Sequence, residues 1–175
     1  MSKNKLNRIL KKHEHQRDKQ FTNMSDAQKI LIFIHGETLQ ELYDYSKIIE
    51  AQLFGKELII VGFVKKISKE ERSVPPPVCL NKLITKKELN IWNNPKKKDI
   101  EWIRLLNTDI LINLDLTSAN VFNILTAASS AKIKCGCKSK YYNIFDLIID
   151  IPTNATKEFL LEQILFYLNA IQVKN

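Results

Sequence analysis

Short apolar runs rich in β-branched residues alternate with helical patterns along most of this chain. In the second half, Asp109–Leu116, Lys132–Cys137 and Asp146–Ile151 are such runs, and Ser118–Ala131 between the first two is rich in small residues. Continuous apolar runs of this length are typical of strands that are buried on both faces of a sheet. The pattern therefore predicts strand, helix, strand, loop and strand.

The first half of the chain shows the same alternation. Lys29–His35 predicts a strand, Glu37–Phe54 an amphipathic helix that ends at Gly55, and Glu57–Val64 a second strand. A strand–helix–strand unit of this kind has parallel strands and a right-handed crossover. We therefore predict an α/β fold of three layers, Rossmann-like or flavodoxin-like. Its mainly parallel sheet has five or six strands, with helices on both faces.

The connection between these two halves is less regular. Val78–Ile84 has the character of a third strand, Thr85–Leu89 that of one helical turn, and Asp99–Asn107 that of a helix. The chain closes with an amphipathic stripe that predicts a last helix at Thr156–Ile171.

Composition bounds the class of protein. The chain has 175 residues, of which 45% are hydrophobic, and this size suits one domain with a full core. We predict a basic N-terminal helix or tail at 1–26 and a single α/β domain at 27–175. Three cysteines, an odd number, argue against a disulfide scaffold. Because the sequence shows neither a signal peptide nor an apolar run of about 18–20 residues, we expect a soluble, cytoplasmic bacterial protein without a transmembrane segment.

The positive charge is concentrated in two segments. Residues 1–20 carry a net charge of +5 and residues 65–98 carry +7, whereas the whole chain carries +8, so the remainder is mildly acidic. Segregation of this kind indicates a surface that meets a polyanion, and the competing interpretation is that lysines only keep the protein soluble. An anionic membrane face is a less favoured partner than nucleic acid.

The leading hypothesis is a non-catalytic module that binds RNA or a ribonucleoprotein. Trp92 and Trp102 flank the second lysine run and either stack on unpaired bases or pack a helix against the sheet. The residues predicted to contact nucleic acid are Lys3, Lys5, Arg8, Lys11, Lys12, Arg17, Lys65, Lys66, Lys96, Lys97 and Lys98.

The N-terminal segment supports a different hypothesis as well. Leu6, Ile9, Leu10 and His13 share one face at helical spacing, and basic residues surround that stripe. A short amphipathic helix is marginal in water, so it either docks on a protein partner or remains a solvated tail. A protein-assembly factor is therefore an alternative function.

A small-ligand crevice is predicted where the first strand and the Asp109–Leu116 strand end. His35, Asp115, Thr117 and Ser118 follow these strands, and the carboxyl ends of parallel strands meet at one edge of the sheet. No glycine-rich phosphate loop is present, and Glu37 opposes an anion at the first helix. A nucleotide-binding enzyme is thus an alternative, but no catalytic signature assigns a catalytic residue or a cofactor.

The cysteines do not predict a metal site. Cys135 and Cys137 form a C-x-C pair whose thiols share one face of a strand, but a closed zinc site needs four ligands and the sequence offers no others nearby. We interpret them as reduced structural thiols.

Two family resemblances follow from these motifs. DILINLDL, LTAASSAKIKCG and FDLIID, within residues 109–150, resemble the N-terminal half-domain of heptosyltransferase-like glycosyltransferases. The resemblance implies a Rossmann-like half-domain, and in that family a second such domain holds the nucleotide sugar. It also makes a reduced, glycosyltransferase-like enzyme an alternative function. Over its whole length, including the connector KKELNIW…KKKDIEWI, the chain is similar to an uncharacterised family of short basic bacterial proteins. No established activity comes with that similarity.

Overall fold

A computed structural model describes residues 8, 17–68, 70–73, 75, 78–138 and 144–170. The strands of these ranges are β1 (Lys29–Gly36), β2 (Glu57–Val64), β3 (Leu80–Thr85), β4 (Ile110–Asn113), β5 (Ile133–Cys137) and β6 (Leu147–Ile149). The α-helices are α1 (Leu39–Gln52), α2 (Lys97–Leu105), α3 (Asn120–Ala128) and α4 (Lys157–Ala170).

The strands form one six-stranded sheet in the order β3-β2-β1-β4-β5-β6. Every strand pairing in the described residues is parallel. This order is that of the Rossmann fold and not the flavodoxin order, so the structure decides between the two predicted topologies. The chain reverses its direction of winding between β1 and β4, and ligands of open α/β sheets bind at such a switch point. The edge where the strands end is called the carboxyl edge below, and the opposite one the amino edge.

Alternation along β1 explains the three layers. Ile32 packs in one core cluster with Leu42 of α1 and Leu160 of α4, whereas Phe33 packs in a second cluster with Phe122 of α3. Successive side chains of a strand point to opposite faces. Helices α1 and α4 therefore cover one face of the sheet and α2 and α3 cover the other, which confirms the predicted helix–sheet–helix sandwich.

The boundaries of β4 and α3 differ from those predicted. β4 ends at Asn113 and α3 begins at Asn120, so the residues between them form a connecting turn. Ser118 lies in this turn with a φ of 52°, a left-handed conformation that cannot belong to a helix. The apolar pattern extended into the turn because Leu114 and Val121 are buried on either side of it.

The predicted N-terminal helix falls mostly outside the described residues. Arg8 is helical and exposed, and Arg17–Gln20 are not helical. Lys3, Lys5, Lys11 and Lys12, and the apolar residues Leu6, Ile9 and Leu10, lie outside the described residues. Among the helices of the described ranges, none combines the length and the apolar character that a membrane crossing requires.

Candidate anion-binding site

Parallel topology gathers seven of the lysines in residues 65–98 at the carboxyl edge. Lys65 and Lys66 directly follow β2, and Lys86 and Lys87 directly follow β3. Lys96–Lys98 lie at the start of α2, which leaves the same edge on its way back to β4. All seven side chains are exposed. Residues that are far apart in sequence thus share one rim of the sheet.

These seven lysines differ from several lysines elsewhere in the fold in their lack of acidic partners. Within the described residues, none of the seven forms an ion pair. By contrast, Lys29 lies 2.9 Å from Glu57, Lys132 lies 2.8 Å from Asp109 and Lys82 lies 2.5 Å from Asp99. Charges of one sign along a rim raise the local concentration of oppositely charged ligands.

Carboxylates at the same edge are engaged by the protein itself. Glu71 accepts hydrogen bonds from the N–H groups of Leu39 at 2.8 Å and Ser68 at 2.7 Å, and these bonds lower the pKa of Glu71. Glu88 accepts from the Thr85 N–H at 2.5 Å and closes a capping box. Their oxygens organise the loops and are not directed to the seven lysines.

A cleft of about 560 Å³ lies among these lysines. Phe63, Leu89, Ala119 and Val121 provide apolar walls, and the polar lining comes from Lys65, Lys66, Lys86, Asn93 and Asn120. A neighbouring cleft of about 460 Å³ shares Lys65, Lys66 and Lys86. The two clefts adjoin at these three lysines and are together called the groove below.

The start of α3 adds partial positive charge to the cleft. The first backbone bond of this helix runs from the Asn123 N–H to the Ala119 carbonyl at 3.1 Å. The N–H groups of the preceding turn have no partner four residues earlier, as at every helix start, and the helix dipole favours an anion there. The start of α3 lines the cleft, and its Ala119 N–H already donates to the Asp115 carboxylate, whereas α1 begins behind the acidic Glu37.

The predicted crevice residues His35, Asp115 and Thr117 do meet, at the switch point between β1 and β4. The Thr117 hydroxyl donates to Asp115 Oδ1 at 2.6 Å and lies 3.1 Å from His35 Nδ1. His35 Nδ1 lies 3.5 Å from the same carboxylate oxygen, and the imidazole stacks on Phe63 at 5.5 Å. Both His35 and Asp115 are buried, so the cluster lies beneath the cleft wall and not in it.

Asp115 acts as a structural acceptor in this cluster. Its carboxylate also accepts from the backbone N–H groups of Thr117 and Ala119, which closes the turn before α3. Ser118, the fourth predicted crevice residue, contributes its carbonyl to the Asn123 amide at 3.0 Å. His35 Nε2 is buried without a hydrogen-bond partner among the described residues. The arrangement thus holds the α3 turn in place, and its carboxylate oxygens are already occupied.

The substitution Asp115→Asn is expected to lower the free energy of unfolding by about 2 kcal/mol at neutral pH, because the acceptor of several hydrogen bonds loses its charge. Burial alone would raise the pKa of Asp115, but hydrogen bonds from His35 and Thr117 and from two backbone N–H groups lower it. Its folded pKa is then below the unfolded value of about 3.9, so this stabilisation is present above that value and lost as the pH falls below it.

Urea unfolding from neutral pH to acid pH measures the difference between wild type and Asp115→Asn. The difference should shrink as the pH falls below the unfolded pKa. Asp44→Asn, at an exposed position of α1, is the matched control and should change the free energy of unfolding much less at neutral pH. A difference that is independent of pH would contradict the assigned role of the carboxylate.

Arg17 is placed differently from the other predicted anion contacts. Its side chain is 1% exposed and donates to both oxygens of Asp146, each at 2.6 Å, and to the Ala131 carbonyl at 3.3 Å. Ala131 and Asp146 precede β5 and β6, so Arg17 lies at the amino edge, opposite the cleft. The guanidinium belongs to the interior of the fold and is not part of an exposed basic surface.

The two tryptophans have separate environments. Trp102 is half-buried, with the Lys82 ammonium 4.6 Å from its ring centroid, so it packs within the fold. Trp92 is 69% exposed and adjoins Asn93, which lines the cleft. The tryptophan suited to stacking is therefore Trp92.

The three cysteines are free, and Cys135 and Cys137 are buried in β5. Burial raises the pKa of the Cys135 thiol, which keeps it protonated and unreactive. The part of the chain that the structure describes contains no group of three or more histidine, cysteine or acidic side chains placed to bind a metal ion.

The fold and this site define a Rossmann-like α/β domain with a basic groove at its carboxyl edge. The chain belongs to a family of unknown function, DUF6913, whose model matches residues 1–171. No curated protein shows a significant match. Among solved structures, the glycosyl transferase family 9 protein from Veillonella parvula DSM 2008 is similar with a TM-score of 0.48 and 14% identity.

That similarity covers 83% of this chain and 42% of the glycosyl transferase, so the chain spans less than half of that protein. At this level of identity the likeness concerns the fold alone. The similarity to an uncharacterised family, stated from the sequence, is confirmed.

Proposed function

We propose that this protein is a non-catalytic binding module that holds single-stranded RNA, free or within a ribonucleoprotein, along the groove at its carboxyl edge. The observation that carries the proposal is the set of seven exposed lysines that share this edge without an ion pair among the described residues. Lysine ammonium groups neutralise phosphates, and this supplies most of the affinity of sequence-independent nucleic-acid binding.

Each part of the groove has a role in this proposal. Lys65, Lys66 and Lys86 contact successive phosphates, and the first turn of α3 accommodates one phosphate at its N–H groups. Trp92 offers an exposed ring on which an unpaired base stacks, which favours single strands over duplexes. No step of bond cleavage is required of any residue.

A second candidate function is the binding of a nucleotide in the cleft alone. The observation that favours it is the concave shape of the cleft, about 560 Å³, with apolar walls and a helix start. This volume lies within the range of small-ligand sites. The RNA proposal requires a strand that follows the groove, whereas the second candidate predicts that a single nucleotide binds in the cleft.

Salt dependence tests the RNA proposal. The affinity for a labelled single-stranded RNA, measured by fluorescence anisotropy between about 50 and about 300 mM salt, should fall with a slope of about −2 in log K against log salt if three phosphates are neutralised. Co-purification from native cells should yield RNA that ribonuclease or high salt removes.

The opposite results are equally clear. Binding that does not respond to salt, or a protein partner that survives both ribonuclease and high salt, would contradict the proposal in favour of an assembly factor. A rise in melting temperature with mononucleotides, without RNA binding, would favour the second candidate.

A further inference from the structure

A short loop between β3 and α2 presents two apolar side chains to solvent. Ile91 is 85% exposed and Trp92 is 69% exposed, and the two residues are adjacent in sequence. A single exposed apolar side chain is ordinary on a protein surface. An aliphatic and an aromatic side chain that are exposed together instead indicate a surface that another molecule covers.

Hydrogen bonds close this loop into a tight turn. The Asn90 N–H donates to the Asn94 carbonyl at 2.9 Å, so the chain enters and leaves the turn at neighbouring positions. The Asn90 side-chain oxygen accepts from the N–H groups of Trp92 at 2.9 Å and Asn94 at 3.1 Å. Asn93 has a φ of 55°, a left-handed conformation that asparagine tolerates in turns. Ile91 and Trp92 therefore lie at the end of a closed turn, and the two residues are called the apolar tip below.

Lysines flank the apolar tip on both sides. Residues 86–98 hold five lysines and one glutamate. The five lysine side chains are exposed, and they form no ion pair among the described residues. The glutamate is Glu88, whose carboxylate accepts the Thr85 N–H within the capping box. The carboxyl edge thus combines an apolar tip with positive charge before and after it.

An anionic lipid bilayer matches both properties of this segment. Surface segments bind a bilayer through buried apolar area together with attraction to anionic lipids. Tryptophan suits the membrane interface because its ring is apolar and its indole N–H is polar. Lysine ammonium groups remain among the headgroups while their aliphatic stems lie along apolar surface. RNA explains only a part of the segment, since its bases stack on Trp92 but have no comparable use for the aliphatic Ile91.

We propose that the apolar tip inserts into the interface of an anionic lipid bilayer. Lys86, Lys87 and Lys96–Lys98 lie against the lipid phosphates in this arrangement and hold the carboxyl edge toward the membrane. The proposal goes beyond RNA binding, because Ile91 has no role in the groove. Trp92 belongs to both surfaces and contacts one ligand at a time.

Sedimentation with vesicles at low salt tests this proposal. The wild-type protein should bind vesicles of equal parts phosphatidylcholine and phosphatidylglycerol at least about tenfold more strongly than vesicles of phosphatidylcholine alone. Ile91→Ser should weaken binding to the anionic vesicles about tenfold, because the isoleucine side chain is no longer buried in lipid. Val78→Ser is the matched control, since Val78 is also an exposed aliphatic residue but precedes β3 at the amino edge. Its binding should equal that of the wild type.

The fluorescence of Trp92 provides a second readout, which attraction between charges alone does not change. In a Trp102→Phe protein, Trp92 is the only remaining tryptophan. Its emission should shift to shorter wavelength when anionic vesicles are added, because the indole leaves water. The affinity of Ile91→Ser for single-stranded RNA should equal that of the wild type.

Four results would overturn the proposal. They are the absence of binding to anionic vesicles, undiminished vesicle binding by Ile91→Ser, an equal loss in Val78→Ser, and an unshifted emission of Trp92 in the bound protein. A parallel loss of RNA binding in Ile91→Ser would assign the apolar tip to the RNA site instead. Failure of the RNA proposal is distinguishable, since the wild-type protein would then sediment with anionic vesicles but not bind RNA.

Discussion

Simultaneous charge reversal of Lys65, Lys66 and Lys86 to Glu is expected to weaken the binding of single-stranded RNA at least about 100-fold at low salt. The three ammonium groups line the cleft and form no ion pair among the described residues. Their positive charge is therefore available to phosphates in the wild-type protein and is replaced by negative charge in the variant. The salt dependence of the remaining binding should become shallower by about 0.7 per lost phosphate contact. Fluorescence anisotropy against salt measures both effects.

Single substitutions provide the matched control for this prediction. Lys86→Glu and Lys47→Glu change the net charge by the same amount, and both side chains are exposed, but Lys47 lies on α1 and not in the cleft. Lys86→Glu should therefore weaken RNA binding more strongly than Lys47→Glu. Equal effects of the two would mean that only the net charge of the protein matters.

The substitution Asp146→Ala is expected to lower the free energy of unfolding by about 3 kcal/mol. Its carboxylate accepts from both Arg17 Nη atoms, each at 2.6 Å, and from the Lys134 N–H at 2.9 Å. Removal deprives a guanidinium whose side chain is 1% exposed of two hydrogen-bonded carboxylate oxygens. Breaking a buried ion pair by removing one partner costs far more than the net value of the pair.

The partner substitution Arg17→Met should cost less than Asp146→Ala. Methionine fills the buried volume with apolar atoms, and Asp146 keeps the Lys134 N–H and the Lys19 ammonium at 3.4 Å. Urea unfolding of the two variants at neutral pH measures the difference. A larger loss of stability in Arg17→Met would contradict this reading of the ion pair.

Acid should weaken the same contact. Burial alone would raise the pKa of Asp146, but the hydrogen bond and the charge of Arg17 lower it below the ordinary value. The contribution of Asp146 to stability is therefore present above about pH 4 and lost as the pH falls through the folded pKa.

Local patterns of apolar residues were sufficient to predict the three layers of this fold. Ile30–Ile34 in β1 and Ile110–Ile112 in β4 are continuous apolar runs because both faces of a central parallel strand are covered by helices. The periodicity of α4 correctly identified Leu160, Ile164 and Leu168 as buried, whereas Phe159, predicted on the same face, is exposed. Helix ends were harder to predict, since α3 begins two residues later than predicted, where the Asp115 carboxylate accepts the Ala119 N–H.

The site was predictable only in part. The end of a strand is visible in a sequence, so His35, Asp115 and Thr117 were correctly expected to meet at the carboxyl edge. Their burial was not visible, and neither was the use of the Asp115 oxygens within the turn. Lys86 was missed as a cleft residue, although its position directly after β3 was a signal that could have found it.

The order of apolar and polar residues along the chain thus determined which segments are strands and helices and how they form layers. The positions of the charged residues showed that the charge is segregated. These properties depend on periodicity and burial, which are local. Strand order is not local, and it was the tertiary structure that placed Arg17 against Asp146 at the amino edge and seven lysines of residues 65–98 at the carboxyl edge. Arg17 and the lysines of the carboxyl edge carry the same charge but have different roles. The Arg17 guanidinium binds a carboxylate within the fold, whereas the lysine ammonium groups are exposed to solvent.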